Sequence, residues 1–164
     1  MEATTVSNRM ISLVVLYDLH TTLFYKAIVN ISDEDAHSRL QTKANHIAWI
    51  TGSLVHKRFE MAKQMGIEAP QSPGDLFQNY RGIQEGVTYP SLEAYKKDWA
   101  AISPALRAGL VNLTDERLNE PFEMPGMKMK VYDLIAFTIY REASCIGQIA
   151  LWRRLLGYDA LKYD

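Results

Sequence analysis

A spacing constrains this chain more than any motif does. Val6, Met10, Leu13, Tyr17, His20, Phe24 and Ile28 recur three or four residues apart, which lays one stripe along a helix from about residue 5 to 29. Comparable signals return three times. Ser32 followed by Asp33, Glu34 and Asp35 reads as an N-cap with an acidic first turn, and Gly66 as a left-handed stop, so a second helix is predicted over about 33 to 65. Ser91 caps a third, which carries Leu92, Tyr95, Trp99, Ile102, Leu106 and Leu110. A fourth starts near Val131 and stops at Gly157.

The links between these segments set the topology. I-E-A-P-Q-S-P-G-D-L-F-Q-N-Y-R-G-I-Q-E-G-V-T-Y-P holds three prolines and three glycines, too many for a core helix, with room for a short helical piece around Leu76 to Tyr80. So long a connection frees the third helix from being the immediate antiparallel neighbour of the second. F-E-M-P-G-M-K-M-K alternates about Pro125-Gly126 and predicts a short hairpin. The expected architecture is all-α: one domain over 1–164, a four-helix bundle with a long crossover between helices two and three.

Composition removes several function classes. A formal net charge of -1 gives no basic excess for tracking phosphate backbones, so nucleic acid is not an expected partner. A single cysteine cannot form an intrachain disulfide and suits a reducing compartment. The N-terminus lacks the pattern of a secretory signal and no apolar run approaches the roughly 18 residues of a membrane span, so a cytoplasmic protein with no membrane partner is expected.

The chemistry concentrates where polar residues interrupt apolar stripes. Arg141 and Cys145 are four apart on one face of the last helix, with Thr138 and Gln148 adjoining. A buried guanidinium needs a counterpart: an acidic residue such as Asp18, Glu60 or Asp98, or an anionic ligand. Cys145 reads either as a small core hydrophobe or, with Arg141 favouring its thiolate, as a reactive thiol. His20 stands out because its stripe is otherwise apolar or aromatic; His46 and His56 read as boundary histidines, and Arg153-Arg154 as a solvated helix end.

R-E-A-S-C-I-G-Q-I-A-L-W-R-R-L-L-G resembles the last-helix signature H-E-x-x-H-x-G-Q of the DinB-like (DinB/YfiT) superfamily of bacterial four-helix bundles, and N-H-I-A-W-I-T-G-S-L-V resembles its helix-two segment. In that family three histidines typically bind a divalent metal; the resemblance maps their positions onto Ser53, Arg141 and Cys145. None is a histidine, and an arginine is a permanent cation that would repel a metal. Arg141 would then supply in place the positive charge that a metal supplies in relatives.

The resulting expectation is a metal-free, cofactor-free member that binds a small anionic or thiol-bearing molecule through Arg141, with Ser53, Cys145, Gln148 and His20 as polar helpers and no catalytic residue assigned. The alternatives are a metal-dependent thiol S-transferase or hydrolase using Cys145 as ligand or nucleophile, and a non-catalytic interaction protein. A homodimer formed through an exposed helical face is expected.

Overall fold

The computed structural model describes residues 4–67 and 74–164, and the fold is predominantly helical. Six α-helices are found among the described residues: α1 (Ile11–Ile28), α2 (Asp33–Ala36), α3 (Ile47–Gln64), α4 (Leu92–Val111), α5 (Asp115–Asn119) and α6 (Val131–Leu155). Between α5 and α6 a two-stranded antiparallel hairpin pairs β1 (Pro121–Met124) with β2 (Met127–Lys130), turning at Gly126 with φ 80°. Short 3-10 turns at Gly74–Leu76 and Gln78–Tyr80 occupy the expected helical piece of the crossover.

Two helices depart from expectation. A 3-10 turn (Asn8–Met10) precedes α1, and Val6, assigned to the stripe, is exposed. The predicted second helix is broken. Ser32 does cap α2 by accepting from the Asp35 amide, but the helix stops after one turn and regular structure resumes only at Ile47. Leu40 and Gln41 adopt positive φ, Arg39 donates to the carbonyls of Lys43 and Ala44, and the Thr42 hydroxyl accepts from the Ala44 amide. Local side-chain bonding of this kind offers the backbone an alternative to the helix ladder. His46 restarts it: its Nδ1 accepts from the Trp49 amide as the N-cap of α3.

The four long helices pack side by side, and cross-contacts fix their directions. Arg9 lies over the Tyr132 ring at one end of α1 and α6, and Arg153 donates to the Ala27 carbonyl at the other, so the two run parallel. Trp152 donates to the Asn45 carbonyl and Arg141 to Ser53, which makes α3 antiparallel to α6. Asp18 meets Arg107 while Phe24 stacks on Trp99, so α4 is antiparallel to α1. α3 and α4 are therefore parallel neighbours. Their connection must travel back along the full length of an 18-residue helix, about 27 Å, which is why the crossover is long.

All four meet at one buried charge. Arg58 of α3 donates Nε to Glu142 Oε1 at 2.6 Å and Nη2 to Oε2 at 2.9 Å. Its Nη1 reaches the hydroxyls of Thr21 on α1 and Ser103 on α4, both at 2.8 Å. The guanidinium is sandwiched by aromatic faces, 3.5 Å from the Trp99 centroid and 3.9 Å from that of Tyr17. Four of the five N–H donors of this fully buried cation are answered, two of them by a carboxylate, which is what makes keeping it there possible.

Candidate functional site

Ser53 on α3 and Arg141 on α6 face each other across the antiparallel pair. Trp49, Ser53 and His56 share one side of α3 because they are four and three residues apart, and Arg141 and Cys145 share one side of α6 for the same reason. Arg141 Nη2 donates to Ser53 Oγ at 2.6 Å, whereas Nη1 of the same guanidinium is buried with no hydrogen-bond partner among the described residues. None of the anticipated carboxylates meets it: Asp18 pairs with Arg107, and Glu60 with Lys57 and His56. The candidate ion pair is replaced by one neutral hydroxyl, and Glu142, the carboxylate next to Arg141 in sequence, is held by Arg58.

Cys145 lies one turn from Arg141 and is buried. Burial pushes its thiol pKa up, Arg141 only partly opposes this, and Glu142 adds to it. Of the two readings of Cys145 this favours the small core hydrophobe over the reactive thiol, because desolvation outweighs the cation one turn away.

The crossover roofs the α3 side of this region. The Phe77 ring lies 6.0 Å from that of Trp49 and 5.9 Å from that of His56. Gly52 makes the approach possible: a Cβ there would sit 2.4 Å from Phe77 Cζ and 2.4 Å from the Tyr95 hydroxyl. Tyr95 OH and Trp49 Nε1 are buried without hydrogen-bond partners among the described residues, like Arg141 Nη1. Indole and guanidinium N–H groups only donate and a phenol can donate, so the unanswered groups of this region favour an acceptor. Next to them His56 Nε2 lies 3.3 Å from Glu60 Oε1, and His56 with Lys57 holds the Glu60 carboxyl down at about 2.

The sequence-predicted residues separate here. Ser53, Arg141 and Cys145 come together. His20 is buried but turns to the central cluster, with Nδ1 3.3 Å from Glu142 Oε2. Gln148 is exposed: two turns along from Arg141 and about 20° to the side away from Cys145, it falls just past the edge of the buried arc. Arg153, read as part of a solvated helix end, is buried and donates to the carbonyls of Ala27, Val29 and Asp159, closing the last turn of α1; only Arg154 is exposed.

Arg58 and Glu142 went unrecognised in the sequence, although a signal existed. On α3 the apolar row Ile47, Ile50, Leu54, Met61 skips one turn, and Arg58 fills it; on α6 Glu142 continues the buried line Thr138, Cys145, Ile149. Burial alone would raise the Glu142 carboxyl, but Arg58, with His20 beside it, brings it below the ordinary carboxylate value. His46, sealed under Tyr89 and near His37, is pushed down to about 4 by burial first and by His37 second.

A hydroxyl, a guanidinium and a protonated thiol do not fit a divalent cation, since the guanidinium repels it and the thiol resists deprotonation. Among the described residues no three His, Cys, Asp or Glu side chains are grouped to hold one. The arrangement can instead hold an anionic or acceptor-rich group: Arg141 is anchored at Nη2 and has Nη1 to spare. No family model, no curated protein and no solved structure matches the chain.

Proposed function

We propose that this chain is a DinB-like four-helix bundle, with the crossover between its second and third long helices, whose ancestral metal position has become a metal-free pocket for a small anionic or thiol-bearing molecule. One observation carries the reading: Arg141 Nη1 is buried without a hydrogen-bond partner among the described residues, beside a guanidinium edge fixed on Ser53. A buried cation with an unanswered donor costs several kcal/mol unless something accepts from it, and an anionic oxygen is the acceptor such a group binds best. The pairing of position 53 with position 141, and of 141 with 145, supports the mapping of the family's ligand triad onto these residues. A nucleophilic role for Cys145 is disfavoured by its raised pKa.

Calorimetric titration of inorganic phosphate and, separately, of glutathione into the wild-type chain and into Arg141→Met tests this. Saturable binding of at least one probe is expected, weakened about tenfold or more in the variant, as fits loss of a charge-assisted bond worth about 1.5–3 kcal/mol. Equal affinity in the two proteins, or no binding of either probe to the wild type, overturns the assignment.

A further inference from the structure

Two histidines beside the start of α3 have partners that make opposite demands on them. His37 ends α2, and both of its ring nitrogens face backbone carbonyls: Nδ1 lies 2.6 Å from the Asp33 oxygen and Nε2 2.9 Å from that of Tyr89. A carbonyl oxygen only accepts, so each nitrogen needs a proton to give. A neutral imidazole has one and sets a lone pair against the other oxygen; the imidazolium answers both.

His46 shows the reverse. Its Nδ1 accepts from the Trp49 amide as the N-cap of α3, which only a bare ring nitrogen can do. The two rings are 5.3 Å apart, and His46 is buried under the edge of Tyr89. Two imidazolium charges that close repel each other, so the pair holds one charge, and the bonding geometry puts it on His37.

The charged groups around the pair are engaged elsewhere. On α2, Asp33 Oδ1 accepts from the Leu92 amide at the head of α4, and Asp35 accepts from the Tyr158 hydroxyl. Arg39 of the 37–46 loop pairs with Glu85 of the crossover at 2.9 Å, and its positive charge further disfavours a proton on His46. The two carbonyls therefore decide the state of His37.

The Tyr89 contact reaches the cover of the candidate site. Tyr89 closes the crossover, its hydroxyl accepts from the Gln84 amide, and its ring lies 5.8 Å from that of Phe77, which roofs Trp49 and His56. Asp33 is four residues from His37, whereas Tyr89 is 52 away, so the Tyr89 contact is the one that can part without unwinding α2.

We propose that His37 is a pH-sensitive staple: its imidazolium ties the crossover and the Phe77 roof to α2, and loss of one ring proton releases the Tyr89 carbonyl. The closed form holds one proton more than the released form, so closure is favoured in acid and weakens as pH rises through the ordinary histidine range, about 5 to 8. His46 stays uncharged throughout that range and keeps α3 capped. The staple acts on the cover and not on Arg141, so it stands whether or not the site beneath binds an anion.

Histidine ring nitrogen NMR and amide hydrogen exchange of the full chain test this. At pH 5 the nitrogen shifts should show protons on both nitrogens of His37 and one bare nitrogen on His46. Protection of the Gln84 amide, corrected for intrinsic exchange, should fall about tenfold or more between pH 5 and 8, as fits loss of a charge-assisted bond. The fall should share its midpoint with the His37 ring titration. His37→Gln keeps an N–H donor without titrating and should remove the pH response, while His46→Asn should retain it. A bare nitrogen on His37 at pH 5, or protons on both nitrogens of His46, overturns the proposal. So does Gln84 protection that is constant in the wild type, that falls with a different midpoint from the His37 ring, or that still falls in a folded His37→Gln.

Discussion

Replacing Glu142 with Gln tests the organisation of the whole helical core, because it removes one charge and almost no volume. In the native protein the carboxylate takes two N–H groups of Arg58, at 2.6 and 2.9 Å, in a site from which solvent is excluded. The amide can accept at one oxygen, and its NH2 group then faces a guanidinium N–H, donor against donor. Breaking a buried pair by removing one partner costs about 3–5 kcal/mol. Trp99 and Tyr17 still stack on the guanidinium, so the lower end, about 3 kcal/mol, is expected. For a chain of this size that is a fall in Tm of about 6–12 °C. Urea unfolding followed by circular dichroism should show a lowered midpoint with an unchanged slope.

Arg58→Met/Glu142→Leu should recover most of that loss or exceed wild-type stability, since replacing both members of a buried pair by apolar residues is often neutral or stabilising. The hydroxyls left behind keep partners of their own: Thr21 donates to the Tyr17 carbonyl and Ser103 to that of Trp99. The lowered Glu142 pKa adds a pH signature. Its stabilisation is complete above the unfolded carboxylate value, about 4.3, and is lost as pH falls through the lower folded value, so Glu142→Gln should lose less stability in acid than the wild type does. If Glu142→Gln unfolds within about 0.5 kcal/mol of wild type, the pair does not hold the core and the reasoning fails.

Three other outcomes follow from particular contacts. His46, with its folded pKa lowered to about 4, leaves the unfolded chain binding the extra proton between about 6.5 and 4, so stability should fall by about 2–3 kcal/mol over that window; His46→Asn, which keeps an N-cap acceptor without titrating, should flatten the profile measured by urea unfolding at each pH. Gly52→Ala should cost about 1–3 kcal/mol in the same assay, since its methyl would collide with Phe77 and Tyr95. Cys145 should be alkylated by iodoacetamide about tenfold more slowly than a free thiol at pH 7.5, and a rate equal to that of free cysteine would contradict its burial and raised pKa.

Much of the helical layout was legible because its signals are local. Ser32, Ser91, Gly66 and Gly157 act on the turn beside them, so caps and stops read directly from the residues, and the hairpin followed from Pro125-Gly126. The break at residues 37–46 was not legible. Arg39, Thr42 and His46 end one helix and start another through side-chain bonds that helix propensity does not encode.

The site divides along the same line. By itself the sequence determined that Arg141 and Cys145 share a helix face, since that is a matter of 3.6 residues per turn. Only the tertiary structure decided what stands opposite them. A helix face spans about 100° between adjacent residues, so Arg141 and its neighbour Glu142 point to different places: one to Ser53 at the edge of α3, the other to Arg58 at the centre. Which guanidinium receives the carboxylate depends on the packing of α3 against α6, a contact between residues 84 positions apart. A single chain read in order carries no term for that contact, because its energy exists only when solvent has been excluded from both partners at once.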